Sequence, residues 1–406
     1  MNQLREFDII IYGATGFTGR LVALYLFKKY GSNKKLKWAM GGRNLTKLKS
    51  VRNEVANKNI PLVIADINDK VSLLNMVNRT KVICTTVGPY AKYGSNLVET
   101  CIKSKVHYCD LAGEVQWMHK MINLYNESAK INGSKIVHGC GFDSIPSDMG
   151  VYFIQKSSKD KSGVRAKKIK MRVAAISGGI SGGTYASLSN VLEESQKNKM
   201  VYKVLTNPYG LNPINEQSGK DKSDLKNVIF DKASQNWIGP FIMASINTKV
   251  VRRSNFLSSY SYGKSFRYDE AVIFGKGFFG RIKATLSTIP IGLIMYAKHK
   301  SLLKKGLDML FPIAGEGPTN KKMEKGFYNL RFYITLDDGS YAFAKITGDM
   351  DPGYGSSSKM LAESAVCLAK DNLPSTSGVL TPSVAMGDSL LLRLEKNAGL
   401  TFTFEY

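Results

Sequence analysis

The sequence predicts an α/β protein: a doubly wound parallel sheet in the first part of the chain, followed by a second α+β domain with a mixed or antiparallel sheet. Three observations carry this prediction. Short apolar runs rich in β-branched residues alternate with helical patterns between residues 5 and 155, the order expected of βαβ units with right-handed crossovers. The first of these runs opens directly into a glycine turn at residues 13–19. Much later, Tyr328 to Ile346 alternates apolar and polar residues on either side of Asp337-Asp338-Gly339, the pattern of an antiparallel hairpin. A chain of 406 residues has room for both domains.

The first strand, Ile9 to Tyr12, is β-branched or aromatic throughout, as a strand covered on both faces should be. Gly13-Ala14-Thr15-Gly16-Phe17-Thr18-Gly19 follows, and Leu21, Val22, Leu24 and Leu26 continue as a helix. Such a turn brings backbone N–H groups and a helix N-terminus to a diphosphate. The spacing is G-x-x-G-x-x-G, with Ala14-Thr15 where the middle glycine of G-x-G-x-x-G usually falls. The second strand, Leu36 to Met40, ends in Gly41-Gly42-Arg43-Asn44. An NAD site offers a carboxylate there to hold the ribose 2′-OH. Residues 38–44 contain none, and Arg43 stands in its place. A guanidinium matches a phosphate, so the sequence favours NADP(H) over NAD(H). The solvated loop arginine is the plainer alternative.

Asn44 and Asp69 are set to cap the next two helices. Asp66 closes the third strand, Pro61 to Asp66, as an adenine-side contact or a helix cap. The fourth strand, Lys81 to Val87, faces the first across the switch point, so Thr86, Val87, Gly88 and Pro89 should pass beside the diphosphate and nicotinamide ribose. Strands at Val106 to Cys109 and Lys135 to Cys140 complete the alternation. The result is a Rossmann-type NADP-binding domain over residues 5–155.

Beyond it, a charged bridge at residues 157–163 precedes a strand at Lys168 to Ile176. The glycine cluster from Ser177 to Thr184 reads as a flexible turn capped by Thr184, with an active-site wall as the alternative. The second domain is expected over residues 164–406. Helices at Ser358 to Ala369 and Val384 to Leu394 should pack on its sheet, and Leu400 to Phe404 should return as a strand. Within it, residues 276–305 hold seven Lys or Arg and no Asp or Glu around an apolar run from Ala284 to Ala297. That run is too short to span a bilayer. It suits a segment lying on an anionic membrane surface, or a helix packed in its own domain or against a second copy.

Net charge is +25, which invites acidic partners, although scattered lysines account for much of it. The patterns of nucleic-acid-binding modules are absent, so nucleic acid is not expected as a partner. Five cysteines without a C-x-x-C pair suit reduced buried thiols. Arg5, Glu6 and Asp8 break any leader-like apolar run. A cytoplasmic protein, peripherally associated with membrane through residues 276–305, is the expectation. The four histidines are isolated and lack metal-ligand spacing, so no metal is expected. The proton that must accompany a hydride is sought at Tyr90, Tyr93, Asp143 or Ser144. Tyr90 and Asp143 are the catalytic candidates, as proton donor or orienting group; loop packing or capping is the alternative for each.

Several stretches carry a resemblance. Gly13 to Gly19, Thr85-Thr86-Val87-Gly88-Pro89-Tyr90 and His107-Tyr108-Cys109-Asp110-Leu111-Ala112-Gly113-Glu114 resemble the saccharopine dehydrogenase superfamily. Cys140-Gly141-Phe142-Asp143-Ser144-Ile145-Pro146-Ser147-Asp148 is similar in particular to its trans-acting enoyl reductase branch. Gly315-Glu316-Gly317-Pro318, Asp351-Pro352-Gly353-Tyr354, Lys359 to Ala365 and Gly378-Val379-Leu380-Thr381-Pro382 resume the match, while residues 195–280 match nothing. The resemblance implies an NADPH-dependent reductase linked to lipid or glycolipid synthesis, acting on an enoyl or related unsaturated lipid- or polyketide-type substrate. It hands over no catalytic residue. A lipid- or membrane-associated binding protein with a structural or regulatory nucleotide site is the alternative from another class, and a saccharopine-type amino-acid reductase is a further one. The oligomeric state stays open.

Overall fold

The computed structural model describes residues 5–32, 35–55, 59–178, 182–296 and 317–406. These fall into two compact units, each interrupted in sequence. The first takes residues up to 145, Gly317 and residues 353–398; the second takes 146–296, 318–352 and 399–406.

The first unit is built on a seven-stranded sheet, strands being numbered along the chain. It contains β1 (Phe7–Tyr12), β2 (Trp38–Gly42), β3 (Leu62–Ile64), β4 (Thr80–Thr85), β5 (His107–Cys109), β6 (Lys135–Val137) and, from near the C-terminus, β13 (Gly378–Leu380). Every pairing is parallel, in the order β13-β6-β5-β4-β1-β2-β3. Winding reverses between β1 and β4, which is where an open α/β sheet binds its ligand. All six residues of β1 are buried, as its β-branched run requires of a strand covered on both faces. Helices α1 (Phe17–Tyr30), α2 (Leu45–Glu54), α3 (Lys70–Val77), α4 (Tyr90–Tyr93), α5 (Ser95–Lys103) and α6 (Val115–Asn132) make the connections. Asn44 Oδ1 accepts from Lys47 N at 2.9 Å and Asp69 Oδ1 from Val71 N at 3.0 Å, the two expected caps.

Two expectations are corrected here. The helices Ser357–Lys370 and Pro382–Asn397 belong to the first unit, not to the second sheet. The helix Ser357–Lys370 packs on α1, β1, β4 and β5, and Met360, Leu361, Ala362, Ala365 and Cys367 are fully buried. The parallel sheet correspondingly gains a seventh strand from residues 378–380. The charged stretch 157–163 is no bridge: it is the end of α7 (Ile145–Ser162) and the residue after it, because its charges ride the exposed face of a continuing helix.

The second unit holds β7 (Ala166–Ser177), β8 (Ile229–Asp231), β9 (Asn236–Gly239), β10 (Arg267–Gly275), β11 (Phe327–Leu336), β12 (Tyr341–Gly348) and β14 (Leu400–Glu405). Their order is β14-β12-β11-β7-β10-β9-β8, mixed, with only β7 and β10 parallel. The β11–β12 hairpin pairs Leu330 with Ile346 and Phe332 with Ala344, and the alternating Tyr328, Leu330, Phe332, Ile334 and Leu336 are its buried row. Helices α8 (Gly182–Lys197), α9 (Lys199–Thr206), α10 (Ala244–Leu257) and α11 (Gly277–Tyr296) accompany α7. Part of the glycine cluster at 177–184 lies outside the described residues, as do residues 297–305 of the basic-apolar segment and Gly315-Glu316.

Two buried ionic clusters hold the second unit's core. The Arg172 guanidinium bonds Asp231 at 3.0 Å and Asp269 at 2.7 Å, and Arg252 on α10 bonds Asp221 at 2.7 Å. All five cysteines are buried and unbridged. No helix among the described residues is long and apolar enough to cross a membrane.

Candidate active site

The glycine turn sits at the carboxyl end of β1 as an open cradle. Gly13 adopts φ +89°, a left-handed conformation that L side chains avoid, and a Cβ there would lie 2.6 Å from Val87 Cγ2. A Cβ on Gly19 would fall 2.2 Å from the Gly13 oxygen, so only glycine lets the helix start this close to the strand. Gly13 N and Ala14 N donate to Gly41 O, and Thr86 Oγ1 donates to Gly13 O at 3.2 Å. The loop after β4 is thereby tied to the loop after β1. Gly16 and Gly88 are exposed, while Thr15, Phe17, Thr18, Thr86, Val87 and Pro89 are half-buried. Among the described residues no side chain caps the α1 N-terminus, and its first turn carries no acid. The first N–H groups of α1 and the helix dipole are therefore left for an anion.

Around the ends of β1, β2 and β3, Arg43 and Asp66 both act electrostatically on Tyr12. Burial and the Asp66 charge push the Tyr12 hydroxyl up to about 12, and Arg43 opposes them. Arg43 is exposed and makes no hydrogen bond or ion pair among the described residues, so its fork is free for a phosphate. Asp66 Oδ1 accepts from Asn68 N at 2.9 Å, shaping the turn into α3. The diphosphate cradle and the free arginine fit a dinucleotide carrying a 2′-phosphate.

The loops after β4, β5 and β6 are fastened by two buried carboxylates that sequence patterns did not single out. Glu114 accepts from Tyr90 N at 2.6 Å and Ala91 N at 3.0 Å. Asp110 accepts four bonds: from Ala112 N and Gly139 N at one oxygen, and from the Tyr108 hydroxyl and His138 Nδ1 at the other, the last at 2.7 Å. An ionised carboxylate only accepts, so Nδ1 carries the imidazole hydrogen. His138 Nε2 is buried without a partner among the described residues, and the ring meets Trp117 edge-on at 4.8 Å. Asp110 and Glu114 fell inside a motif of the resemblance, but the 28-position separation of Asp110 from His138 hid the pairing of those two.

Tyr90 and Asp143 occupy different environments on this rim. The Tyr90 ring is buried and stacked on Trp117 at 5.6 Å, and its hydroxyl donates to Thr85 O at 3.3 Å while accepting from Leu111 N at 3.1 Å. Asp143, between β6 and α7, is half-buried, with Oδ2 3.4 Å from where a Gly113 Cβ would stand. Its carboxyl group has no hydrogen-bonding or charged partner among the described residues, and burial alone raises it to about 6. Phe142 N beside it donates to Ser357 Oγ at 2.9 Å, and Tyr354 meets Phe17 edge-on at 4.7 Å. The C-terminal motifs of the resemblance thus return to the nucleotide loop. No group of three or more His, Cys, Asp or Glu among the described residues is placed to hold a metal.

A glycine cradle at the switch point of a parallel sheet defines a dinucleotide-binding class, and the family match makes it an NADP-dependent oxidoreductase with NADP(H) as its cofactor. Residues 9–137 match the saccharopine dehydrogenase NADP binding domain. Trans-acting enoyl reductases of Mycobacterium ulcerans (strain Agy99) and Mycobacterium tuberculosis (strain ATCC 25618 / H37Rv) are each 35% identical, over 408 and 404 residues, covering 96% of this chain and 96% of the relative. The fold is similar to that of apo saccharopine dehydrogenase (L-Glu forming) from Saccharomyces cerevisiae, with a TM-score of 0.54 and 12% identity over 98% of this chain and all of that one. The chain belongs to the saccharopine dehydrogenase superfamily, in its trans-acting enoyl reductase branch.

Proposed function

We propose that this oxidoreductase uses NADPH to reduce the carbon–carbon double bond of an enoyl, lipid-like substrate in lipid or glycolipid synthesis. The name shared by its relatives supports the enoyl class. The observation that carries the reading is Asp143, a carboxyl group on the carboxyl rim of the parallel sheet without a partner among the described residues, raised by burial to about 6.

When bound, NADPH supplies a hydride. Gly13, Gly16 and Gly19 would admit the diphosphate, and Arg43 would hold the 2′-phosphate. Reduction of the double bond also consumes one proton, at the carbon next to the carbonyl. Asp143 gives it: in its neutral form the O–H bond breaks toward that carbon, and the carboxylate left behind recovers a proton from water. Tyr90 orients, since both faces of its hydroxyl are committed to the backbone at Thr85 and Leu111.

The test is NADPH oxidation with long-chain enoyl thioesters, wild type against Asp143→Asn. Loss of a general acid should lower kcat by about 10²–10⁴-fold while NADPH binding is kept. The acid form is the active one, so wild-type kcat/KM, which reports the free enzyme, should decline as pH rises through about 6. An undiminished kcat in the variant moves the proton source elsewhere. NADPH binding with no enoyl turnover would instead favour a lipid-associated binding protein with a structural nucleotide site, a reading to which the exposed apolar face of α11 lends support.

A further inference from the structure

Helix α11, Gly277–Tyr296, has two unlike faces. It packs on β9 and β10 through Gly280 and Ala284, which are buried. At Gly280 a Cβ would stand 2.3 Å from the Gly275 oxygen, so that contact is backbone against backbone. The opposite face is exposed and apolar: Phe278 is 73% exposed, Phe279 77%, Ile282 38%, Leu286 59% and Ile289 53%. At about 3.6 residues per turn these five share an arc of roughly 100°. Exposed single apolar residues are ordinary, but five in one stripe with two phenylalanines at its head form a surface built for contact.

What lies beside the stripe indicates the partner. Arg281 and Lys283 project just outside the two edges of the arc, Lys276 precedes the helix, and all three are exposed. No Asp or Glu occurs from residue 276 to residue 305. The Arg281 guanidinium lies 5.3 Å over the Trp237 ring, and Trp237 meets the 44%-exposed Phe230 edge-on at 5.7 Å, carrying the surface onto β8 and β9. An aromatic-headed apolar stripe flanked by cations on both sides matches a surface that is apolar below and anionic above.

We infer that the exposed face of α11, with Lys276, Arg281 and Lys283 at its margins, docks on an anionic membrane surface. The phenylalanines and Leu286 enter the headgroup–acyl boundary while the cations stay with the phosphates. The helix lies on the membrane and does not cross it, in keeping with the absence of a spanning helix among the described residues. This inference rests on α11 and its neighbours alone, and the reductase reading can fail without it.

The experiment is co-sedimentation of the full chain with vesicles, without cofactor or substrate. One set is phosphatidylcholine alone; the other contains about one-third phosphatidylglycerol. Near an anionic surface each cation strengthens binding roughly fivefold, so the three should favour the anionic vesicles by about 100-fold. Raising salt from about 0.15 M to about 1 M should abolish most of that preference. Lys276→Gln with Lys283→Gln should weaken anionic binding roughly 25-fold on the same scale. Phe278→Ser with Phe279→Ser should weaken binding to both sets. Both pairs are exposed, so unchanged thermal melting is expected and serves as the control for folding. The phenylalanine pair separates α11 from the general attraction of a chain with net charge +25. Undiminished anionic binding in that variant would overturn the inference, as would equal binding to both vesicle types or binding to neither. A wild-type dimer that the phenylalanine pair dissolves would also overturn it, assigning the face to a second copy of the chain.

Discussion

Arg43 is the residue proposed to read the 2′-phosphate of NADP(H), through charge rather than shape. It is exposed, free of any carboxylate partner among the described residues, and stands where an NAD site would place an acid. A bidentate guanidinium–phosphate contact contributes about 1.5–3 kcal/mol, which is roughly 10- to 100-fold in affinity. Arg43→Ala should therefore raise the KM for NADPH by about that factor and leave the KM for NADH nearly unchanged. A variant that still prefers NADPH by the wild-type ratio would show that another group reads the 2′-phosphate. Single residues were legible in the sequence where the chemistry is local. The glycines announce a close approach, and Asn44 and Asp69 cap helices that start beside them. Asp110 was not legible as a fastener, because its four donors come from Tyr108, Ala112, His138 and Gly139 and meet only once β5 and β6 lie side by side.

Among the elements, the helix Ser357–Lys370 shows where pattern reading stops. Its apolar spacing says that a face is buried but not which sheet receives it. In the structure that sheet is the parallel one, and the tie is chemical as well as apolar. Glu363, fully buried, accepts from the Tyr25 hydroxyl at 2.6 Å and the Tyr30 hydroxyl at 2.7 Å, both on α1, and pairs with Arg393 at 3.1 Å. Burial, then the charge and hydrogen bond of Glu363, hold the Tyr25 hydroxyl well above its ordinary range. Removing one member of a buried network strands the others, at a cost of about 3–5 kcal/mol. Glu363→Ala should lose about that much in urea unfolding; a loss below about 1 kcal/mol would show that the helix docks by apolar packing alone. The β11–β12 hairpin was legible because its period-2 alternation and its Asp-Asp-Gly turn are both local. Strand β13 was not, since three residues give no period to read.

Across the whole molecule, the buried ionisable groups pull the pH dependence of stability in opposite directions. Burial keeps His107 neutral and lowers it to about 4. The unfolded chain binds that proton more readily, so this group costs stability as pH falls from about 6.5 toward 4. Asp8 belongs on the same side: burial raises it, but hydrogen bonds from Lys370 and Lys81 outweigh burial and leave it lowered, so its contribution is lost in acid. Glu270 acts in the other sense. Burial, only partly offset by hydrogen bonds from Ser147, Tyr268 and Asn247, raises it from 4.5 to about 7. The folded state then holds this proton more tightly than the unfolded chain does, and stability is lost as pH rises through that window. Asp143 adds to the same loss up to about 6. Glu270→Gln keeps the shape and removes the titration. Any fixed cost of the amide among Ser147, Tyr268 and Asn247 is the same at every pH, so the pH-dependent part isolates the proton. Measured by urea unfolding, the variant should gain about 1–3 kcal/mol on the wild type between pH 5 and pH 8. A difference between the two proteins that stays constant across that range would mean that Glu270 ionises as readily in the folded chain as in the unfolded one.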